Sequence, residues 1–229
     1  MTPTGVRPVL TFDLFSALID SRRGGAQAFA SIGDRHGWAV DGQTAYDAWD
    51  AHNKAAQRDC DGWLPFRTLA AQALAAAYTD LDLPGAPERD ADMLIASMAH
   101  WPLWPDVAGG LPQLVAEGYR IGLLSNVDDD IFAATRAAAL IDHRVAMTSQ
   151  RLRVYKPDPR IYTSAQATLG TMVHVATSAR DVRGALEAGC PVVRLRRPGH
   201  GLDPAGPDPD YEVDEVSQLP GMVAKVLSG

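Results

Sequence analysis

The feature that most restricts the fold is a regular alternation of short apolar stretches and helical stretches in the second half of the chain. Strands are predicted for four segments that are short, apolar and bounded by turn residues, namely YRIGLLSN, RVAMTS, MVHVATS and PVVRL. Helices are predicted after the first three of them, over DDDIFAATRAAAL, PRIYTSAQATLG and RDVRGALEAG. Strand–helix alternation joins parallel strands, so the sequence predicts an α/β fold with a Rossmann-like parallel sheet and helices on both faces.

A long helical section separates this half from the first predicted strand. VLTF, residues 9–12, predicts that strand, and no strand pattern interrupts residues 21–100. The proline-rich stretch WPLWPDVAGG breaks the helical pattern and indicates a hinge. We therefore expect an inserted all-helical cap domain, residues 21–104, and an α/β core domain made of residues 1–20 and 105–229.

Charge and apolar content disfavour several classes of partner. The formal net charge of −7 argues against nucleic acid and against an anionic membrane, since both require a basic surface. The N-terminal sequence MTPTGVRP carries no long apolar segment, so neither a signal peptide nor a membrane span is expected. Cys60 and Cys190 are far apart and form no metal-ligand cluster, which is typical of reduced thiols in the cytoplasm. We expect a cytoplasmic protein acting on a small-molecule substrate, and assembly as a homodimer stays open.

Polar residues follow several of the predicted strands. Asp13 ends the first strand, Ser125 and Asn126 end the next, Lys156 precedes a helix in VYKPDP, and Asp181 follows MVHVATS. Taken singly, most fit an ordinary turn, a helix start or the surface. Parallel sheets bind ligands at the carboxyl ends of their strands, so the five together indicate a functional site.

Four stretches carry a family resemblance, and they are VLTFDLFSALID, IGLLSNVDD, VYKPDPRIY and HVATSARDVRGALEAG. Together they resemble the haloacid dehalogenase superfamily, and in pattern they are most similar to its 2-haloacid dehalogenase branch. The helical insertion resembles the cap of that superfamily. The resemblance implies that Asp13 is the nucleophile, Ser125 the hydroxyl of the second motif, Lys156 the cation and Asp181 the remaining acid. Tyr162 matches a position that supports the site, although a tyrosine packed in the core explains it equally well.

Phe15 distinguishes two branches of this superfamily. Phosphatase members carry a second aspartate there, which protonates the leaving alkoxide, and they hold magnesium with an acid where this chain has Thr177. A halide is the anion of a strong acid and leaves without a proton, so one carboxylate and a phenyl ring suffice for displacement at carbon. The ring would also exclude water from the carboxylate. We expect no metal and no cofactor.

The resemblance implies a reaction in two steps. Asp13 attacks the carbon that bears the leaving group and forms an ester, and water then hydrolyses that ester at the Asp13 carbonyl. Lys156 would neutralise the nucleophile, and Asp181 would orient Lys156 or help to activate water. Ser125 and nearby backbone amides would receive the substrate carboxylate, and Asn126 would lie near the departing halide.

The residue that receives the halide departs from the family pattern. Members of the branch use a cap arginine, whereas this chain has Asp50 near that position, and spacing does not choose among Lys54, Arg58 and Arg67 as substitutes. Two other functions therefore remain open. One is a phosphatase or another small-substrate hydrolase of the same superfamily, and the other is a non-catalytic member that keeps the fold.

Overall fold

The structure of the protein, a computed structural model, describes residues 7–228. The N-terminal segment 1–6, where no signal peptide is expected, lies outside the described residues. Six parallel strands form one sheet in the order β3-β2-β1-β4-β5-β6. The strands are β1 Val9–Phe12, β2 Arg120–Ser125, β3 Ala146–Thr148, β4 Met172–Ala176, β5 Val192–Leu195 and β6 Glu212–Val213. The predicted parallel α/β sheet is confirmed.

Four helices lie between β1 and the second half of the chain, and the described residues 21–100 contain no strand. These helices are α1 Ser21–His36, α2 Gly42–Arg58, α3 Phe66–Asp80 and α4 Pro87–Ser97. They bury apolar side chains against one another and against the core, among them Phe29, Trp49 and Leu74. The all-helical cap is confirmed, whereas its boundaries at residues 20/21 and 104/105 stay a prediction.

The two chain segments that join the cap to the core pair with each other. Ile19 and Leu103 form an antiparallel bridge, and the amide of Asp20 donates to Pro102 O at 2.9 Å. The amide of Trp104 donates to Leu18 O at 3.0 Å. Backbone hydrogen bonds therefore join the segment that leads into the cap to the segment that leads out of it. The second segment contains the prolines of the predicted hinge.

The remaining α-helices belong to the core, and helical spacing in the sequence predicted α8 and α9 among them. They are α5 Val107–Ala116, α6 Asp129–Ala134, α7 Ser149–Leu152, α8 Pro159–Leu169, α9 Ala179–Glu187 and α10 Leu219–Val226. Within the described part of the chain, no helix is both long and apolar enough to span a membrane.

The helix predicted over residues 128–140 is shorter than expected. It ends at Ala134, since Thr135 is extended (φ −74°, ψ 158°) and its hydroxyl donates to Phe132 O at 2.8 Å. Asp128 does not cap this helix with its side chain, as its carboxylate accepts from the backbone amides of Phe66 and Arg67 at 2.8 and 3.1 Å. A core aspartate therefore satisfies the N-terminus of the cap helix α3.

Candidate active site

The residues predicted for the site meet at the carboxyl edge of the sheet. Asp13 directly follows β1, Ser125 ends β2 with Asn126 after it, Lys156 precedes α8, and Asp181 lies in the first turn of α9. All five side chains are buried, and all five line one cavity between the sheet edge and the cap. Because β1, β2 and β4 are adjacent and parallel, residues far apart in sequence are brought to one place.

The carboxylate of Asp13 accepts three hydrogen bonds from side chains. Oδ1 accepts from Lys156 Nζ at 2.8 Å and from Ser125 Oγ at 3.0 Å, and Oδ2 accepts from Ser16 Oγ at 2.5 Å. Burial by itself raises the pKa of Asp13, but the charge of Lys156 and the hydrogen bonds from Lys156 and Ser16 hold it below its usual value. Asp13 is therefore ionised and shielded from bulk water.

Lys156 connects the two acids of the site. Its ammonium donates to Asp13 Oδ1 at 2.8 Å, to Asp181 Oδ2 at 2.6 Å and to Leu124 O at 2.9 Å. These acceptors use all three N–H groups of a side chain that is 3% exposed. An ammonium group bonded to two carboxylates and a carbonyl is fixed in position.

Asp181 is held by three side chains. Its carboxylate accepts from Lys156 and from Tyr162 Oη, the latter at 2.8 Å, and His174 Nε2 lies 3.1 Å from Oδ2. Burial raises the pKa of Asp181, whereas Lys156 and His174 lower it well below its usual value. Tyr162 is fully buried in the core and hydrogen-bonded to Asp181, and its support of the reaction stays a prediction.

His174 belongs to this network although the sequence did not point to it. The residue lies in the middle of β4, is fully buried, and places Nδ1 3.0 Å from Thr11 O. It thereby ties Asp181 to β1. A histidine inside the otherwise apolar run MVHVA was the available signal, because a buried polar side chain needs partners.

Asn126 and Gln57 connect the core to the cap. Asn126 Nδ2 donates to Gln57 Oε1 at 2.9 Å and to Lys156 O at 3.0 Å, and Asn126 Oδ1 accepts from Lys156 N at 2.7 Å. Gln57 lies on α2 and is buried. Both amide hydrogens of Asn126 thus have protein acceptors, and its contact with a leaving halide stays a prediction.

Aromatic rings form one wall of the cavity. Phe15 stacks on Phe66 of α3 with ring centroids 5.9 Å apart, and it meets Trp101 edge-on at 5.8 Å. All three line the same cavity as Asp13. This part of the cavity lining is therefore apolar, and the exclusion of water from Asp13 by Phe15 stays a prediction.

Further polar lining of the cavity comes largely from the cap. Its side chains are Arg22, Asp50, Asn53, Lys54, Arg180 and His200. Lys54 donates to Asp50 one helical turn away. His200 Nε2 is buried without a hydrogen-bond partner in residues 7–228. The sequence pointed to none of Arg22, Arg180 and His200, although Arg180 directly precedes Asp181 in the fourth motif.

The two other candidates for halide binding have different contacts. Arg58 pairs with Asp59, and Arg67 pairs with Asp128 and Asp130. Lys54 is the one of the three that lines the cavity with Asp13.

The groups that would hold magnesium in a phosphatase do not fit here. The Thr177 hydroxyl donates to Leu195 O at 2.6 Å, and position 15 offers a phenyl ring. Within residues 7–228, no group of three or more His, Cys, Asp and Glu side chains is arranged to hold a metal ion. A cation between Asp13 and Asp181 would also compete with the ammonium of Lys156.

The sequence matches a model of the haloacid dehalogenase-like hydrolases over residues 8–189. The chain belongs to this family. The resemblance that the four motifs indicated is thus confirmed, and the site residues named above lie within the matched range, apart from His200.

Curated members of the family match part of the chain. (S)-2-Haloacid dehalogenase 4A of Burkholderia cepacia is 31% identical over 140 residues, which are 58% of this chain and 61% of that protein. A glyceraldehyde 3-phosphate phosphatase of Methanopyrus kandleri is 30% identical over 138 residues, 54% of this chain and 57% of that protein. The chain thus spans less than two thirds of either relative.

The structure of an L-2-haloacid dehalogenase from Xanthobacter autotrophicus resembles nearly the whole chain. It superposes with a TM-score of 0.78 at 21% identity and covers 94% of this chain and 98% of that one. At this identity the likeness is one of fold, and it includes the cap as well as the sheet.

Proposed function

We propose that this protein hydrolyses a small 2-haloacid through a covalent ester on Asp13, without a metal ion. The observation that carries the proposal is the ionised Asp13 carboxylate, which is paired with Lys156 and faces an aromatic wall where a phosphatase would have its second acid. The similarity to haloacid dehalogenases adds support.

In the first step an Asp13 oxygen attacks the carbon bearing the halogen, from the side opposite to the halogen. The C–O bond forms as the C–halogen bond breaks, and both electrons of the broken bond leave with the halide. No proton is needed, which agrees with a site whose position 15 is Phe15. The aromatic wall keeps the attacking carboxylate poorly hydrated.

In the second step water attacks the Asp13 carbonyl carbon. The ester C–O bond of Asp13 breaks, the released alkoxide takes a proton from the attacking water, and one further proton passes to solvent. The product is a 2-hydroxyacid, and Asp13 returns to its ionised form. Asp181 holds Lys156 beside Asp13. The charge of Lys156 stabilises the negative charge of the Asp13 carboxylate when it forms again.

The second candidate is a phosphatase of the same family, and the similarity to the glyceraldehyde 3-phosphate phosphatase favours it. Phe15 and the hydrogen-bonded Thr177 argue against it, since neither can supply a general acid or a magnesium ligand. A non-catalytic role is disfavoured by the cost of burying Lys156 with two carboxylates, which a binding module has no need to incur.

A substrate screen with metal control tests the proposal. Halide release from a panel of 2-haloacids and phosphate release from phosphate esters are measured with EDTA and with magnesium. We expect halide release from a haloacid that EDTA leaves unchanged. Phosphate release that depends on magnesium would instead identify the phosphatase.

A single turnover in oxygen-18 water tests the covalent step. The label should appear on Asp13 first, and in the product only during later turnovers, because water attacks the ester carbonyl. Label in the first product would mean that water attacks the substrate directly, which contradicts the nucleophilic role of Asp13.

The proposal includes a cytoplasmic location, to which the free thiols of Cys60 and Cys190 are suited. It also includes a cap boundary at the paired segments that contain Ile19 and Leu103. The partner is a small molecule, and nucleic acid and membranes are not expected partners. A homodimer stays open.

A further inference from the structure

Four cationic side chains line the cavity, and three of them have carboxylate partners. Lys156 pairs with Asp13 and Asp181, Lys54 pairs with Asp50, and Arg22 pairs with Asp47. Arg180 is the fourth, and no carboxylate of residues 7–228 lies within salt-bridge distance of its guanidinium. Arg180 is half-buried, and charges withdrawn from water are ordinarily paired, so this unpaired cation is available to a different partner.

The contacts of Arg180 leave most of its donors free. Nη2 donates to Gln57 Oε1 and Nη1 donates to Lys54 O at 3.4 Å, and both acceptors are neutral. A guanidinium carries five N–H groups, so three have no acceptor within the described part of the chain. Burial lowers the pKa of Arg180, yet an arginine stays charged at any physiological pH.

The position of Arg180 places these free donors beside the reacting groups. The residue precedes Asp181 in α9 and lines the same cavity as Asp13 and the aromatic wall. Gln57, which accepts from Arg180, also accepts from Asn126, so the guanidinium is held by a side chain of the cap. It is therefore an oriented group rather than a mobile surface arginine.

We propose that Arg180 receives the anionic group of the reaction in this cavity. The inference rests on the proposed function and concerns a monovalent anion, which has two sources, the carboxylate of the substrate and the departing halide. A core residue would thus take the role for which the sequence left the cap residues Lys54, Arg58 and Arg67 open. Asp50, which stands near the position of the cap arginine, is itself paired with Lys54. The fork of N–H groups on Arg180 suits a carboxylate, and its charge suits either anion.

Anion binding without turnover tests the proposal on the full chain. Bromide binding is followed by the line width of bromide NMR, and propanoate binding by saturation-transfer NMR, both at constant ionic strength. Arg180→Gln should weaken the affinity for at least one anion by about tenfold or more, since it removes a charge-assisted hydrogen bond. A loss for bromide identifies a halide site, and a loss for propanoate identifies a carboxylate site.

Two further variants make the test specific. Arg22→Gln removes the same charge from the same cavity, but Arg22 already pairs with Asp47, so anion affinity should change by much less. Gln57→Glu keeps the side-chain shape and gives Arg180 an internal carboxylate, so it should weaken anion binding as Arg180→Gln does. Thermal unfolding shows whether Arg180→Gln folds. If it does not fold, Gln57→Glu still tests the inference.

Three results would overturn the inference. They are a parent protein that binds neither anion, an Arg180→Gln variant that binds both as the parent does, and an equal loss in Arg22→Gln. None of them depends on catalysis. A failure of the proposed function would appear instead as absent halide release in a parent protein that still binds an anion through Arg180.

Discussion

The ammonium of Lys156 lies 2.8 Å from Asp13 Oδ1, although 143 positions separate the two residues in the chain. Both side chains are buried, and the charge of Lys156 holds the pKa of Asp13 below its usual value against the effect of burial. The ionised state of Asp13 therefore depends on a tertiary contact. Four predictions follow from this contact and from the packing of the cap.

Replacing Lys156 by methionine should destabilise the fold. The change leaves Asp13 and Asp181 buried beside each other without their shared cation, and the loss of one partner from a buried pair costs about 3–5 kcal/mol. Urea unfolding at neutral pH measures the free energy of unfolding. Lys225→Met at the exposed surface of α10 is the control and should change it by less than about 0.5 kcal/mol.

A Lys156→Met protein as stable as its parent would mean that protonation of one acid compensates for the lost cation. The double variant Lys156→Met/Asp181→Asn separates these cases. It removes one of the two charges left unpaired, so it should recover part of the lost stability.

Replacing Asp181 by asparagine should slow the second step of the reaction more than the first. Lys156 keeps its bond to Asp13 in this variant, so attack on the substrate remains, whereas the support for ester hydrolysis is reduced. Asp181→Asn is mixed with a 2-haloacid that the parent protein hydrolyses. Intact-protein mass spectrometry should then detect an ester on Asp13. Asp34 is exposed, so Asp34→Asn is the control and should show no adduct at steady state. If Asp181→Asn also accumulates no adduct, this role of Asp181 is contradicted.

Stability should fall in acid because the pKa values of Asp13 and Asp181 are both lowered in the folded protein. In the unfolded chain such carboxyl groups have a pKa of about 3.9. Their contribution is therefore complete above that pH, and it is lost as the pH falls through the lower folded values. Urea unfolding at a series of pH values measures the free energy of unfolding. The difference in this free energy between the parent and Asp181→Asn should shrink in acid. A difference that widened in acid would mean that folding raises the pKa of Asp181 instead of lowering it.

Two glycine-to-alanine substitutions should have opposite effects on stability. A Cβ on Gly42, at the start of α2, would lie 2.2 Å from Ala26 O of α1, so Gly42→Ala should cost about 1–3 kcal/mol. A Cβ on Gly109 in α5 would meet no atom within 4 Å, so Gly109→Ala should stabilise by about 0.5–1 kcal/mol. Thermal unfolding of both variants checks the pair, and a stabilising Gly42→Ala would contradict the close approach of α1 and α2.

The order of strands and helices, the family and the residues at the strand ends could all be predicted before the structure was known. These follow from local periodicity and from short motifs, as with VLTF before Asp13 and the helix that ends at Gly170. The parallel pairing then places Asp13, Ser125, Lys156 and Asp181 at one edge of the sheet, since strand ends in a parallel sheet share an edge.

The other side chains that complete the site could be identified only from the packing of the elements. Gln57 and Arg180 are 123 positions apart, and no spacing rule relates a residue of α2 to one of α9. In the same way Asp128 caps α3 rather than its own helix, and α6 ends early at Thr135. The physical reason is that propensity and periodicity act within a few residues, whereas the partner of a buried polar group is chosen by which elements pack together.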